Sequence, residues 1–320
     1  MSVLVAAFYR FTPLAAATLP GLRQRLLAAA EDGGVKGTVL LACEGVNGTI
    51  SGPADGVEAL LEQLQAADPG LAQLEVKRHT ASGQVFHRLK VRLKREIVTL
   101  GLPEADPTAV VGTYVAPSDW DALISDPETL LIDTRNGYEV AVGSFEGAID
   151  PHTSHFREFP AWVERVLRPL VAQRRPKALA LFCTGGIRCE KATAHLIQAG
   201  FTGVHHLQGG ILRYLEEVDA AQSRWQGECF VFDQRVALSH RLEPGSHSLC
   251  HACRMPLSPA DREHPDHCEG VSCHHCAARS TACDRARYAE RERQVALASQ
   301  RGEAHLGRSF GETNPGARDG

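Results

Sequence analysis

The sequence predicts an α/β protein of more than one domain, and three observations lead to that class. The chain has 320 residues, which exceeds the size of one typical hydrophobic core. Predicted strands and helices alternate along most of its length, a pattern typical of sheets covered by helices. Four of its ten cysteines form two C-x2-C pairs, which indicates a small third region organised by side-chain chemistry.

Residues 1–108 predict a small α+β sandwich. Strand-like segments occur at VLVAAFYRF, GTVLLA, VNGTISG and LAQLEVKRH, while one helix-like run follows Pro20 and another is VEALLEQLQAA. The order strand, helix, strand, strand, helix, strand is that of a ferredoxin-like sandwich, with two helices on one face of an antiparallel sheet. Pro103 and Pro107 mark the linker that follows.

A basic segment, VFHRLKVRLKREIV, alternates strictly over several residues in this first region. Leu89, Val91 and Leu93 are predicted to share one face. The opposite face carries four cations: Arg88, Lys90, Arg92 and Lys94. A row of cations suits the phosphates of a nucleic acid, and arginine binds phosphate better than lysine does. The alternative is a solvated edge strand whose charges prevent edge-to-edge pairing.

Residues 109–222 predict a parallel α/β domain. LLIDT and ALALFC have the pattern of buried strands, FPAWVERVLRPL and EKATAHLIQAG that of helices, and GVHHLQGGI that of a strand ending in a glycine turn. In such sheets, ligands bind outside the carboxyl ends of the strands. Cys183 lies at one of these ends, where ALALFC runs into the loop CTGGIRCEKA.

Cys183 is predicted to be an activated nucleophile. A glycine-bearing loop between a strand and a helix points backbone amides at one spot, which suits an anion such as a thiolate. Lowering a thiol pKa by about two units requires roughly 2.7 kcal/mol, whereas a helix N-terminus contributes about 0.3–1 kcal/mol. We assign the remainder to the loop amides and to Arg188, which keeps its charge. The alternative is a small buried residue that happens to end a strand.

The segments LIDTRNGYEV, GSFEGAIDP and CTGGIRCEKATAHLIQAGFTGVHHLQGGILRYLEE resemble the rhodanese domain over roughly Asp119 to Glu217. In that family the loop cysteine carries sulfur as a persulfide in a loop of six residues, and related tyrosine-type phosphatases have one residue more. The loop of this chain has six residues, so the resemblance implies a sulfur-type loop. The implied active-site residues are Cys183, Thr184, Gly185, Gly186, Ile187 and Arg188, with Cys189 beside them.

Three residues near this loop have structural or open assignments. Asp133 and Arg135 match a charged pair of the rhodanese family, and we expect them to form an ion pair that holds the loops. Cys189 opens the next helix, six positions beyond Cys183. It can resolve a sulfenate or persulfide on Cys183, or it can fill the position where many rhodanese domains carry serine.

Residues 223–284 predict a metal site. Cys250 and Cys253 form one C-x2-C pair and Cys273 and Cys276 form another, with 19 residues between the pairs. Such spacing is typical of a structural zinc site with four thiolates, and a short region with few large apolar residues needs such a site to fold. Redox-active or simply free thiols are the alternative.

Charge and hydropathy bound the remaining possibilities. The formal net charge of -4 neither demands nor forbids a polyanionic partner. No run is long enough to span a membrane and no signal peptide is evident, so we expect a cytoplasmic protein. Because the cytosol keeps thiols reduced, we expect the ten cysteines to serve catalysis or metal binding rather than disulfide bonds. Residues 285–320 predict a charged helix followed by a disordered tail.

The order of these regions resembles the bacterial tRNA uridine(34) hydroxylase family over nearly the whole chain. The motifs that carry this resemblance are CTGGIRCEKA, GECFVFDQRV and CHACRMPL followed by GVSCHHC. It implies oxygen-dependent conversion of the wobble uridine to 5-hydroxyuridine, with Cys183 as the essential residue. It also implies molecular oxygen as co-substrate and the tRNA anticodon stem-loop as partner. We expect no flavin or haem and no obligate protein partner.

Two other functions stay open. A rhodanese-type sulfurtransferase would carry a persulfide on Cys183, although the basic segment argues against a small-molecule acceptor. A zinc-bearing RNA-binding protein would have a vestigial loop, although the intact six-residue loop argues against it. For the hydroxylase, two routes are open. The Cys183 thiolate can add to C6 of the pyrimidine and make C5 electron-rich, or a persulfide on Cys183 can react with oxygen directly.

Overall fold

A five-stranded sheet forms the N-terminal part of the protein in the computed structural model, which describes residues 2–303 and 306. Its elements are β1 (Val3–Phe11), α1 (Leu19–Asp32), β2 (Lys36–Ala42), β3 (Gly45–Gly52), α2 (Ala54–Gln65), β4 (Glu75–Ala81) and β5 (Leu89–Leu93). The strand order is β4-β1-β3-β2-β5; the first four strands are antiparallel, and β5 joins the edge parallel to β2. The predicted ferredoxin-like arrangement is therefore confirmed.

The two faces of this sheet have different surroundings. Val39 and Leu41 of β2 are fully buried in an apolar core with Leu26 of α1. Thr38 and Leu40 alternate with them and therefore point to the opposite face, where they line a cavity. The helices thus cover one face and leave the other free to form a site.

A four-stranded parallel sheet forms the central part, as predicted. Its elements are β6 (Thr113–Val115), α3 (Pro117–Ser125), β7 (Thr129–Asp133), α4 (Gly137–Val140), β8 (Gly143–Phe145), α5 (Phe159–Trp162), α6 (Arg168–Arg174), β9 (Ala178–Phe182), α7 (Ile187–Gln198), β10 (Val204–Leu207) and α8 (Gly210–Glu217). The strand order is β6-β10-β9-β7, and every residue of the central strand β9 is buried. Its apolar sequence, ALALF, reflects helices on both faces of the sheet.

The helix predicted from FPAWVERVLRPL is not uniform. A π-helical turn, Val163–Leu167, connects α5 to α6. Pro169 lies in the first turn of α6 and has no amide proton for the carbonyl one turn earlier. The change of hydrogen-bonding pattern therefore has a local cause in the sequence.

The N-terminal and central domains belong to one compact unit that ends at Ser248. Lys191 of α7 is fully buried, and its Nζ lies 2.8 Å from Glu44 Oε2 and also pairs with Glu96. Ala105, in the predicted linker, is buried in the core of the central domain. An ion-paired lysine and a packed linker therefore fix the two domains against each other.

The predicted boundary at 223 assigns residues 223–248 to the Cys-rich region and not to the central domain. They form β11 (Trp225–Gly227), β12 (Cys229–Phe230) and β13 (Ala237–Leu238). β11 pairs with β8, and Trp225 and Cys229 are buried in the same core as Phe182. The structure therefore places this stretch in the first unit, because its apolar side chains complete the central domain.

The second unit begins at Leu249. Its elements are β15 (Pro256–Leu257), α9 (Pro259–Arg262) and α10 (Ala282–Gln300), and β14 (Ser248–Leu249) spans the boundary. Thr281 and Asp284 form a capping box at the start of α10. This helix corresponds to the charged helix that the sequence predicts. The predicted disordered tail lies outside the described residues. Within residues 2–303 and 306, no helix is both long and apolar enough to cross a membrane.

Candidate functional site

Cys183 follows β9 at the start of the six-residue loop. Its side chain is fully buried, and the Gly186 amide donates a hydrogen bond to Sγ at 3.1 Å. Gly186 has a φ of 106°, a left-handed conformation that favours glycine and turns this amide toward the sulfur. Burial opposes ionisation, but the hydrogen bond from Cys189, the charge of Arg188 and the loop amides together lower the pKa of Cys183 to about 5. The loop thus has the electrostatics of a thiolate site.

Arg188 is held in place by Glu139, a residue that the sequence analysis missed. The Nη1 and Nη2 atoms of Arg188 donate to the two carboxylate oxygens of Glu139, each at 2.7 Å. Burial opposes the charge of Glu139, but the neighbouring guanidinium lowers the pKa of its carboxyl group. The amide of Asn136 also donates to this carboxylate at 3.1 Å. The sequence signal for Glu139 is a helix-capping pattern, in which Asn136 is followed three residues later by Glu139.

Cys189 lies beside Cys183 in the same core. Its Sγ is 3.6 Å from Oγ1 of Thr134, and the side chain is fully buried. Burial raises the pKa of Cys189 well above its usual value, and the hydrogen bond to Cys183 raises it further. A thiol that stays protonated is a slow nucleophile, which argues against the resolving role and favours donation to the Cys183 sulfur.

Asp133 and Arg135 form the ion pair that the sequence predicts. Both side chains are fully buried, and Nη2 of Arg135 lies 2.6 Å from Oδ2 of Asp133. Arg135 also donates to the carbonyl of Gly143 and lies over the ring of Trp225 at 5.1 Å. The pair ties the end of β7 to the strands around it, which is a structural role.

A cavity of about 650 Å³ opens between the loop and the free face of the N-terminal sheet. This volume lies within the range of roughly 300–1,000 Å³ that is usual for ligand sites. Thr184, Gly185 and Ile187 line the cavity together with Cys183 and Arg188. The sheet contributes a second group of lining residues: Ala7, Tyr9, Leu40, Asn47, Thr49 and Lys77. Both domains therefore build the site.

Lys77 of β4 contacts the active-site loop directly. Its Nζ donates to the carbonyl of Gly185 at 3.0 Å and to that of Gly209. Burial lowers the pKa of Lys77, while the Cys183 sulfur acts in the opposite direction. No sequence pattern links Lys77 to Cys183, because 106 positions and a domain boundary lie between them.

Tyr9 of β1 is a second contact from the N-terminal sheet. Its hydroxyl donates to Oε1 of Glu190 at 2.7 Å, and a Cβ on Gly186 would come within 2.8 Å of that hydroxyl. Burial raises the pKa of Tyr9 well above its usual value and also raises that of Glu190. Tyr9 thus seats the N-terminal sheet against the glycine that directs an amide to Cys183.

The predicted basic face lies on β5, at the edge of the N-terminal sheet. Lys90 pairs in register with Thr38, and Arg92 pairs with Leu40. Paired residues of a sheet point to the same face, so Lys90 and Arg92 share the face of two residues that line the cavity. The basic face therefore continues the cavity wall toward the sheet edge.

One residue of β5 departs from the predicted alternation. Leu93 is 44% exposed although its partner Leu41 is fully buried, because the edge strand ends there without a further neighbour. Arg88, Arg92 and Lys94 are exposed, and Lys90 is half-buried. Since β5 is an edge strand, edge protection stays open as the alternative role of its charges.

The four predicted metal ligands lie together in the second unit. Their sulfurs are all within 4.8 Å of one another. The separations are 3.7 Å for Cys253 and Cys273, 3.9 Å for Cys250 and Cys276, and 3.9 Å for Cys273 and Cys276. Zinc bound tetrahedrally at about 2.3 Å from each sulfur gives separations of about 3.8 Å, whereas a disulfide bond is about 2.05 Å long. The geometry fits a metal site and excludes disulfides.

The fold and the site define a class of protein in which a ferredoxin-like domain packs over the thiolate loop of a rhodanese-type domain. Residues 3–97 match the family model of the UPF0176 acylphosphatase like domain, and residues 116–217 match that of the Rhodanese-like domain. The chain belongs to the tRNA uridine(34) hydroxylase family, which confirms the resemblance seen in its motifs.

Three curated relatives carry the name tRNA uridine(34) hydroxylase. The protein of a Synechococcus sp. is 57% identical over 297 residues, which cover 92% of this chain and 91% of the relative. That of Parasynechococcus marenigrum is 58% identical over 297 residues, 92% of each chain. That of Mesorhizobium japonicum is 55% identical over 306 residues, 95% of this chain and 97% of the relative. The similarity therefore includes the Cys-rich region.

Proposed function

We propose that this protein hydroxylates C5 of uridine 34 in tRNA, with molecular oxygen as co-substrate and Cys183 as the essential residue. Membership of the hydroxylase family is the basis for the reaction class. The observation that carries the site assignment is a sulfur with a pKa of about 5 beneath a cavity whose wall continues into a basic strand. A rhodanese-type sulfurtransferase has the same loop, but the basic wall is better suited to a polyanionic substrate.

Cys183 is the group placed to attack the base. Addition of its thiolate to C6 forms a sulfur–carbon bond and moves the C5=C6 electron pair onto C5, the carbon to be hydroxylated. One atom of O2 enters at C5 as the hydroxyl group, and the other leaves as water with two protons and two electrons that an external two-electron reductant supplies. Loss of the C5 proton with elimination of the thiolate then restores the C5=C6 double bond. The Gly186 amide and Arg188 favour this anion before attack and again when it leaves. Glu139 acts on the loop through Arg188, and Lys77 acts on it through the carbonyls of Gly185 and Gly209.

The anticodon stem-loop is the part of tRNA that we place on this surface. Loop bases can be splayed out of the stack into a pocket, and the backbone can follow a basic groove. The cations assigned to the phosphates are Arg88, Lys90, Arg92 and Lys94. We place the reaction in the cytoplasm, where free thiols persist; all ten cysteines of the chain are free.

We also propose a structural zinc ion in the second unit. The mutual distances of the four sulfurs support it, and thiolates are ligands that zinc prefers. Nη1 of Arg291 in α10 donates to the carbonyl of His251 at 2.9 Å, which connects the long helix to the first C-x2-C loop. Zinc would stabilise this unit and take no part in the reaction at Cys183.

Mass spectrometry of tRNA nucleosides tests the proposed reaction. Cells that lack the gene should lose 5-hydroxyuridine and its derivatives, and the wild-type gene should restore them while a Cys183→Ser gene should not. A loss of thiolated nucleosides instead would identify a sulfurtransferase. No change in either class would favour an RNA-binding protein with a vestigial loop.

A further inference from the structure

Phe232 is exposed in a way that core packing does not explain. Its side chain is 63% exposed, the highest value among the large apolar side chains that the structure describes. Its neighbours Phe230, Val231 and Asp233 are each at most 5% exposed. A large apolar group presented alone from a buried stretch points to a contact with something outside the chain.

The backbone around Phe232 is fixed. The amide of Val231 donates to the carbonyl of Val236 at 2.8 Å and closes the turn between β12 and β13. Inside the turn, Nη2 of Arg235 lies 2.6 Å from Oδ2 of the buried Asp233. The ring of Phe232 packs edge-to-face on Phe230 with centroids 5.1 Å apart. A ring held in this way loses little entropy when a partner binds.

This turn forms part of the rim of the cavity above Cys183. Phe232 and Arg235 line that cavity, and so do Phe86 and the exposed Arg157 from other segments. The amide of residue 234 donates to the carbonyl of Val85 at 3.0 Å, so the turn is joined to the loop that leads into the basic strand β5. An aromatic ring between cations is the combination that binds single-stranded nucleic acid, because bases stack and phosphates pair.

We propose that Phe232 stacks on a nucleotide base that neighbours the modified uridine and so holds the anticodon loop open over Cys183. The inference rests on the proposed function. Stacking does not distinguish one base from another, so Phe232 contributes affinity for every tRNA substrate alike. The uridine can then enter the cavity while its neighbour stays at the rim.

Steady-state hydroxylation of an anticodon stem-loop RNA by the full-length protein tests this role. Phe232→Ala should raise KM by roughly 5- to 150-fold, the effect of losing one stacked base, and Phe232→Trp should keep KM close to wild type. Alkylation of Cys183 by iodoacetamide should proceed at the same rate in all three proteins. Val166→Ala, which removes an exposed apolar group outside the cavity lining, is the matched control and should leave KM unchanged.

A spectroscopic measurement separates this inference from the proposed function. Two stem-loop RNAs are used, one with 2-aminopurine on the 5′ side of the uridine and the other with it on the 3′ side. Wild-type protein should quench the fluorescence of one of these RNAs, and Phe232→Ala should not. Quenching without turnover would contradict the proposed reaction and keep the stacking role. Turnover with equal KM and equal fluorescence in the alanine variant would overturn the stacking role. An alanine defect that the tryptophan variant does not relieve would overturn it too.

Discussion

Two groups of cysteines in this chain have opposite surroundings. Cys183 accepts an amide hydrogen bond at 3.1 Å, lies near a paired arginine and opens onto a cavity. The four cysteines of the second unit have one another as nearest sulfur neighbours, all within 4.8 Å. A cation and amides beside a sulfur that lines a cavity favour a nucleophile, whereas four converging sulfurs favour a metal ion. The neighbours of a thiol, and not its residue type, therefore decide its chemistry.

The largest effect should follow from breaking the metal site. Cys273→Ser should lower zinc from one ion per chain to well below one, and the second unit should lose its cooperative unfolding transition. Structural zinc contributes on the order of 10 kcal/mol in small metal domains, more than this unit's few apolar side chains can replace. Elemental analysis and calorimetry of protein purified without added metal measure both.

The control for this experiment is Cys268→Ser, which removes an exposed cysteine from the same region that is not part of the cluster. It should bind one zinc ion. Well-folded wild-type protein with substoichiometric zinc would contradict the structural site. Alkylation of Cys183 should be the same in both variants, because that loop belongs to the other unit.

Local sequence patterns predicted both groups of cysteines because each group is built from segments that are compact in sequence. The loop from Cys183 to Arg188 is contiguous, and each C-x2-C pair forms one short turn, so spacing alone carries the geometry. The type of each sheet, antiparallel in the first domain and parallel in the central one, was likewise predictable from the order of strands and helices. The ion pair of Asp133 and Arg135 was predicted from the resemblance to the rhodanese family, whose charged pair these two residues match.

Contacts between distant segments were not predictable. Lys77 and Tyr9 reach the loop from another domain, and only the packing of the two domains brings them there. Glu139 lies 49 positions from Arg188, so no spacing rule connects the two. The place of residues 223–248 in the first unit was not predictable for a similar reason, because their short strands pair with distant residues such as Phe145.

The second largest effect should come from removing the nucleophile. Cys183→Ser should lower the hydroxylation rate by at least about 10³-fold, because a serine hydroxyl stays protonated where the thiol ionises. Zinc content and the unfolding temperature should not change. Turnover of a stem-loop RNA under saturating oxygen measures the rate.

Cys189→Ser is the matched control, since it makes the same replacement on the neighbouring thiol. A serine hydroxyl can still donate to the Cys183 sulfur, so the loss of rate should be smaller. Wild-type turnover by Cys183→Ser would refute the assignment of the nucleophile and leave the two cysteine groups without a functional difference.

A smaller effect should follow from removing the cation beside Cys183. The double change Arg188→Gln with Glu139→Gln removes a buried ion pair without leaving one charge unpaired. The pKa of Cys183 should rise from about 5 toward its ordinary value, because the thiolate loses an opposite charge. Alkylation should therefore slow strongly at pH 6 and change little at pH 9.

The exposed pair Arg168 and Glu164 provides the control, because Arg168→Gln with Glu164→Gln removes the same groups outside the cavity lining. Its alkylation profile should match that of the wild type. An unchanged profile in the Arg188 double variant would mean that the loop amides and Cys189 alone lower the pKa of Cys183.

The smallest effect concerns the basic strand β5. Replacing Arg88, Lys90 and Arg92 by glutamine should weaken tRNA binding and reduce the slope of log affinity against log salt by roughly 2–3, since each phosphate contact contributes about 0.7–0.9. Alkylation of Cys183 and zinc content should both stay at wild-type values. Binding at several salt concentrations measures the slope.

The control must change the net charge equally without touching β5. The control replaces three exposed arginines outside the cavity lining by glutamine: Arg25, Arg165 and Arg174. It removes the same number of positive charges as the β5 variant. If both triple variants reduce the slope alike, the tRNA responds to overall charge and β5 is only a protected edge. A reduction confined to the β5 variant would mean that the basic face binds phosphates along the wall that leads to Cys183.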